Sequence, residues 1–284
     1  MATNVGVLGL GVIGKPIAER LIKAGFSVAV YDVLEDRVAG LHKLGATACA
    51  SPADVATHSD IIVSLVADAA QTDAVVFGPR GIIEALRPGC IFVIGSTLGP
   101  LPVRNVAQAL APRGCATLDA PISGGYLAAY EGTLSLMIGG PQPVLDKSLP
   151  VLRAYATTIT RAGDIGAGQA AKLAHQLVCS VNVITLLEGL SLGAAAGVEP
   201  AVLRKIMQAG VADSSILRLW DELGPRWKNM LNAAAPGSPP SNLQKDLHLV
   251  LELAHDLGVN LQVCPAASRA ADDGVATGHD NPAL

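Results

Sequence analysis

Within its first fourteen residues the chain passes from a β-branched apolar run, Asn4–Leu8, directly into Gly9-Leu10-Gly11-Val12-Ile13-Gly14. A helical pattern follows at once, with Ile17, Leu21 and Ile22 on one face. A strand, three spaced glycines and a helix in that order admit few folds. The first glycine permits the tight turn, the second leaves bare backbone open to a pyrophosphate, and the third lets the helix sit against the strand. The helix start then offers N–H groups and a partial positive charge to an anion. Gly9, Leu10, Gly11, Val12, Ile13 and Gly14 are therefore expected to hold a dinucleotide.

The next strand, Ser27–Tyr31, ends in Asp32, eighteen residues after Gly14, where a carboxylate accepts from a ribose 2′-hydroxyl. A carboxylate there repels a 2′-phosphate, and Val33, Leu34 and Glu35 follow in place of an arginine. NAD is the expected cofactor, with NADP as the alternative. Arg37 reads as a solvated helix residue.

Further apolar runs at Ile61–Val66, Cys90–Ile94 and Ala116–Asp119 alternate with helical segments. Alternation of this kind predicts βαβ units in a doubly wound, mostly parallel sheet, a Rossmann domain. Thr133–Ile138 reads as a hairpin-like strand, Pro143–Arg153 as a helix and Thr157–Arg161 as a last strand. From Gln169 to Ala196 one helical pattern runs on for about 28 residues, roughly 42 Å. Helices are expected at 200–209, 214–223 and 243–257, with Gly258 as a C-cap and the Pro/Gly/Ser stretch 235–240 as a loop between helices. The expected division is a Rossmann domain over 1–163 and an all-α domain over 164–284, joined by the long helix. The latter is expected to serve dimerisation and substrate binding.

With a net charge of −4 and no basic stripe, nucleic-acid binding is disfavoured. The five cysteines are scattered, without CxxC pairs or a histidine at metal-ligand spacing, and read as buried free thiols with no metal. The stretch after Lys172 is interrupted by Asn182, Glu188 and Ser191, so no uninterrupted apolar run reaches membrane-spanning length. The expected location is the cytoplasm, with no membrane partner.

Four blocks, in order, resemble the β-hydroxyacid dehydrogenases, the family of 3-hydroxyisobutyrate and 6-phosphogluconate dehydrogenases. They are Gly9–Ala18; Asp119-Ala120-Pro121-Ile122-Ser123-Gly124-Gly125 with Gly132-Thr133-Leu134; Gly166-Ala167-Gly168-Gln169-Ala170-Ala171-Lys172; and Lys245-Asp246-Leu247. The resemblance implies oxidation or reduction of a small hydroxy or oxo acid. It makes Lys172 the catalytic acid–base, its pKa lowered by desolvation. It gives Ser123, Gly124 and Gly125 the substrate carboxylate, which needs bare backbone to approach. Gln176, one turn after Lys172, stands where the family commonly has Asn, and His175 resembles the 6-phosphogluconate branch; both are expected to face substrate. Thr97 matches the threonine near the nicotinamide, Lys245 the lysine closing over the cofactor, and Val66 and Ala67 the adenosine end. Asp68–Val75 and Lys172–Leu177 look like the L-threonate dehydrogenase branch, which implies a four-carbon sugar acid. The family also implies a homodimer or homotetramer assembled through the helical domain. Tyr126, Tyr130, Trp220, Trp227 and the chain end are expected to shape specificity, the tryptophans chiefly by packing.

Two other functions fit the same architecture. An imine reductase usually places Asp or Tyr where Lys172 stands and often lacks the Ser-Gly-Gly stretch. A non-catalytic NAD-binding protein would lack the lysine or carry an added tail. The residues present argue against both.

Overall fold

A computed structural model describes residues 3–221 and 241–273. The chain divides into two compact units, Met1–Lys172 and Leu173–Leu284.

In the first unit the strands β1 (Asn4–Leu8), β2 (Ser27–Tyr31), β3 (Thr47–Ala48), β4 (Ile61–Ser64), β5 (Ile91–Ile94) and β6 (Ala116–Asp119) form a parallel sheet in the order β3-β2-β1-β4-β5-β6. That order reverses direction between β1 and β4, and ligands of such sheets bind beyond the strand carboxyl ends at the reversal. Strands of a doubly covered sheet are apolar on both faces, and these alternate cleanly. Val5, Val7, Val28, Val30, Ile61, Val63, Ile91 and Val93 fill the core on one face. Leu8, Ala29, Ile62, Phe92 and Ile94 fill it on the other. Two more strands, β7 (Ile122–Ser123) and β8 (Leu134–Gly139), join antiparallel, and β9 (Ala156–Gly163) runs parallel to β8.

The helices of this unit follow their strands: α1 (Gly14–Lys23), α2 (Glu35–His42), α3 (Pro52–Thr57), α4 (Ala69–Phe77), α5 (Pro100–Leu110), α6 (Gly125–Glu131) and α7 (Gln142–Leu152). Two of these starts carry a side-chain cap. Ser51 caps α3 by accepting from the Asp54 N–H at 3.1 Å, and Asp68 caps α4 through the Gln71 N–H at 2.8 Å. α1 buries Ile17, Ala18 and Leu21 and ends with Arg20 and Lys23 in its last turn, where cations oppose the helix dipole.

The long helix α8 (Ala167–Ala195) carries the boundary between the units, after Lys172. By length and mean composition it is apolar enough to cross a membrane, although Asn182, Glu188 and Ser191 interrupt it. In the second unit, however, Leu173, Val183, Ile184, Leu187 and Leu190 are core residues, packed with Leu217, Leu247, Val250, Cys264 and Ala271. Those partners come from α10 (Ser215–Arg218), α11 (Asn242–Asp256) and α12 (Cys264–Asp272), while α9 (Pro200–Ala209) buries no residue of its own. α11 opens on a capping box: the Gln244 N–H donates to Ser241 Oγ at 3.3 Å, and Gln244 Oε1 accepts from the Ser241 N–H at 2.8 Å. Its end is marked by Gly258 at φ 65°. α10 is shorter than the helix expected over 214–223, whose last residues lie outside the described ones, as do Trp227, the 235–240 loop and the chain end.

Candidate active site at the strand carboxyl ends

The glycine turn shows which glycine does what. Gly9 holds φ 86°, and a Cβ there would lie 2.9 Å from the Leu65 backbone carbon. At Gly14 a Cβ would lie 1.9 Å from the Gly9 carbonyl oxygen, so helix and turn touch backbone to backbone. Gly11 is different: the nearest atom to a Cβ there is Arg37 Nη1, 4.0 Å away. The bare backbone at Gly11 therefore faces open space, bounded by a cation and by the start of α1. Such a cradle fits a dinucleotide pyrophosphate. Val12 is exposed, Ile13 precedes the first residue of α1, and Leu10 is buried.

Asp32 follows β2 and is largely buried. Its Oδ2 accepts from the Leu10 N–H at 2.6 Å and its Oδ1 from the Leu34 N–H at 2.9 Å. Arg37 Nη1 lies 3.3 Å from Oδ2. Arg37 is an exposed residue of α2, as expected, and it also pairs with the carboxylate expected at the ribose. The Leu10 N–H, the Asp32 carboxylate and the Arg37 guanidinium thus meet at one point beside the glycine turn.

Val66 and Ala67 come just after β4, with Ala67 exposed and its N–H donating to Gln71 Oε1 at 3.1 Å. Ser96, after β5, donates its hydroxyl to the Val66 carbonyl. Thr97 comes next and is half-buried. After β6, Ser123 lies in β7 opposite Ser135, and Gly124 and Gly125 are exposed at φ 120° and 68° at the start of α6. On α6, Tyr126 and Tyr130 stack with ring centroids 6.3 Å apart.

Lys172 lies on the second turn of α8 and is only 7 % exposed. Two residues that the sequence reading left without roles seat that helix. Asp119, the last residue of β6 and fully buried, accepts from the Gly166 N–H at 2.7 Å and the Gln169 N–H at 2.8 Å. Its slot exists because Gly139 and Gly168 lack side chains: a Cβ at either would lie 2.2 Å and 2.7 Å from the Asp119 carboxylate oxygens. Burial pushes the Asp119 carboxyl above its ordinary range, opposed by the N–H groups it accepts. Gln169, also fully buried, accepts through Oε1 from the N–H groups of Leu98 at 2.9 Å and Gly99 at 3.3 Å. Its Nε2 donates to the Ser96 carbonyl at 2.8 Å. A polar residue ending an apolar strand, and an amide just after Gly166-Ala167-Gly168, were the available sequence signals.

In the second unit Gln176 Nε2 donates to Asp246 Oδ2 at 2.6 Å, and Lys245 Nζ lies 2.9 Å from Asp246 Oδ1. One buried carboxylate therefore gathers two of the expected site residues, and Asp246 itself was quoted only as part of a motif. His175, on α8, is exposed.

The cysteines were read as lacking a histidine companion, but Cys49, Asp54 and His58 bring ligand atoms within 4.8 Å of one another. These groups also serve the ends of α3: Asp54 Oδ2 accepts from the Ala50 N–H at 2.9 Å, and His58 Nδ1 lies 2.8 Å from the Asp54 carbonyl oxygen.

A doubly wound sheet with an open glycine cradle and a buried carboxylate after β2 defines a dinucleotide-binding protein. Comparison with known proteins agrees. A family model described as the NAD binding domain of 6-phosphogluconate dehydrogenase matches residues 4–163. A second, the NAD-binding region of NADP-dependent 3-hydroxyisobutyrate dehydrogenase, matches residues 166–282. The chain is similar to 2-(hydroxymethyl)glutarate dehydrogenase of Eubacterium barkeri, 34 % identical over 97 % of this chain and 90 % of that one. It is 32 % identical to L-threonate dehydrogenase of Cupriavidus necator, over 94 % and 89 %. The solved structure of 3-hydroxyisobutyrate dehydrogenase from Salmonella typhimurium superposes with a TM-score of 0.83 at 29 % identity, over 95 % and 93 %. The chain belongs to the β-hydroxyacid dehydrogenase family. It is an NAD(P)-dependent hydroxyacid dehydrogenase.

Proposed function

We propose that this enzyme oxidises a small acid of the 3-hydroxyisobutyrate or four-carbon sugar-acid kind, with Lys172 as the general base. The observation that carries this reading is the burial of Lys172 one turn beyond the seated start of α8. Desolvating an ammonium group costs several kcal/mol, so a lysine at 7 % exposure calls for a task. The names of the relatives, a (hydroxymethyl)glutarate and a threonate dehydrogenase, support an acid carrying a hydroxyl.

When bound, the nicotinamide dinucleotide supplies the hydride acceptor. The residues of this chain do the rest. Gly9 to Gly14 and the start of α1 hold the pyrophosphate, Asp32 accepts from the ribose hydroxyls, and Val66 and Ala67 line the adenosine end. Thr97 faces the nicotinamide side and Lys245 contributes to cofactor binding. The Ser123 hydroxyl and the N–H groups of Gly124 and Gly125 hold the substrate carboxylate, with His175 and Gln176 on the remainder of the acid. As the substrate carbon gives up hydride, the Lys172 amine takes the hydroxyl proton and the C–O bond becomes a carbonyl. In reverse, the ammonium returns that proton to the oxygen. Residues 164–284 serve as the substrate and assembly domain of a cytoplasmic homodimer or homotetramer. Exposed Val178 and Leu192 on α8 and Val202 and Ile206 on α9 supply apolar surface for the assembly.

The test is NADH and NADPH formation across a panel of acids: L-threonate, D-erythronate, glycerate, 3-hydroxyisobutyrate, 3-hydroxypropionate and β-hydroxy amino acids. One acid is expected to turn over clearly. Lys172→Ala should then lower kcat by about 10² to 10⁴, the range of a positioned acid–base group, with NADH binding intact by fluorescence. A near-wild-type kcat removes Lys172 from the mechanism.

A further inference from the structure

Gln169 occupies an unusual position for a fully buried side chain. It reaches from the first turn of α8 to the segment after β5 and contacts both neighbours of Thr97: the Ser96 carbonyl on one side and the Leu98 N–H on the other, with the Gly99 N–H beyond. The Ser96 hydroxyl in turn holds the Val66 carbonyl after β4. From the other direction, Asp119 at the end of β6 receives the Gln169 and Gly166 N–H groups. The ends of β4, β5 and β6 and the start of α8 are thereby linked through three side chains, Ser96, Gln169 and Asp119. Lys172 follows Gln169 by three residues, so it lies about one turn further along the same helix.

Few side chains make this junction. It needs an acceptor for two N–H groups and a donor to a carbonyl, all out of contact with water. A neutral amide offers both, an ionised glutamate only accepts, and a methionine of similar length offers no donor and only a weak acceptor. Asparagine has the chemistry but is one methylene shorter. Every partner of the amide is main chain, so the side chain constrains backbone positions rather than another side chain's rotamer.

We propose that Gln169, seated by Asp119, is a positioning residue of the reaction: its amide fixes Thr97 and the Lys172 turn of α8 as one rigid piece. The proposal rests on the reading of Lys172 as general base and of Thr97 on the nicotinamide side. Displacing a catalytic group by about 1 Å costs on the order of 10² in rate. Losing the amide should therefore appear in kcat before it appears in binding.

The experiment compares Gln169→Met with Lys172→Ala and with Val183→Ala, a core truncation in the second unit that serves as a stability control. Melting temperature, kcat and KM for the best acid, NADH affinity, and amide exchange at Leu98 and Gly99 are measured for each. Gln169→Met is expected to lower kcat about 10- to 100-fold, to leave KM and NADH affinity in place, and to speed exchange at both amides. Val183→Ala should lose melting temperature while keeping kcat. If Gln169→Met loses only melting temperature, or raises KM and weakens NADH instead of lowering kcat, the positioning role is overturned. If Gln169→Met does not fold, Gln169→Glu keeps acceptors for the two N–H groups and loses the donor to Ser96; a full wild-type kcat in that variant also overturns the proposal. A collapse in Lys172→Ala without one at Gln169 sinks this inference alone, whereas an active Lys172→Ala sinks the reading beneath it.

Discussion

Gly11 and Gly14 carry different tasks in the motif, and the structure predicts opposite failures when each becomes alanine. At Gly14 the new methyl would sit 1.9 Å from the Gly9 carbonyl oxygen, about 1 Å inside any contact that real side chains make. The obstacle is backbone, so either α1 lifts from the turn or the turn opens. Overpacking typically costs about 1–3 kcal/mol and more when backbone must move, so Gly14→Ala should lose at least about 3 kcal/mol. For a protein of this size that is a fall of roughly 6 °C or more in melting temperature. At Gly11 the methyl meets nothing closer than 4.0 Å and the backbone needs no positive φ. Stability should change by less than about 0.5 kcal/mol. The methyl does occupy space assigned to the pyrophosphate, and the same 1–3 kcal/mol then falls on the complex alone. NADH affinity should drop about 5- to 150-fold. Thermal melts and NADH fluorescence titrations of both variants decide the matter. A Gly11→Ala protein that binds NADH normally would refute the placement of the pyrophosphate, and one that melts early would refute the open cradle.

Asp32→Ser should move the ratio of kcat/KM from NAD toward NADP without any added arginine. It removes the repelling carboxylate and releases Arg37, now 3.3 Å from it, for a 2′-phosphate; an unchanged ratio would mean that neither residue meets the ribose. Ser241→Ala breaks the capping box of α11 and should cost about 1 kcal/mol in urea unfolding, against no change if the box forms only weakly. Burial, and then the nearby Asp54 carboxylate, push the Cys49 thiol up to about 11. The native protein at pH 8 should therefore leave Cys49 unmodified by iodoacetamide while denatured protein is labelled there, and rapid native labelling would contradict its burial.

Much of the first unit was legible because its strands are buried on both faces and bounded by glycine or aspartate. The spans 4–8, 27–31 and 116–119 were read to the residue. The two-residue strands β3 and β7 were missed, since Thr47-Ala48 and Ile122-Ser123 are too short to show a period and exist only through pairing with β2 and β8. Gly124-Gly125 was read only as an anion site, and the helix α6 that begins there was not foreseen. For the site, motifs pointed to the groups facing open space, Gly11 above all. The residues behind them stood inside the same motifs, but nothing in the sequence told what they hold. Asp119, Gln169 and Asp246 bind backbone or side chains 47 to 73 positions distant, and no local pattern encodes a partner that far along the chain. Arg37 is exposed on α2 as read, but its pairing with Asp32 was not, because the Leu34 turn that brings the two together leaves no periodic signal.

The slot around Asp119 has a consequence for how this sequence can change. A side chain at Gly139 or Gly168 collides with the carboxylate, and a longer acid at 119 has no room between them. Shortening the acid instead leaves the Gly166 and Gln169 N–H groups without their acceptor. None of the three positions can drift alone, so a library that randomises them one at a time should return only the parent. A paired change, a smaller acceptor at 119 together with alanine at Gly139, relieves the clash because only the carboxylate stands in the way there, whereas a methyl at Gly168 would still meet the Met137 carbonyl oxygen at 2.4 Å.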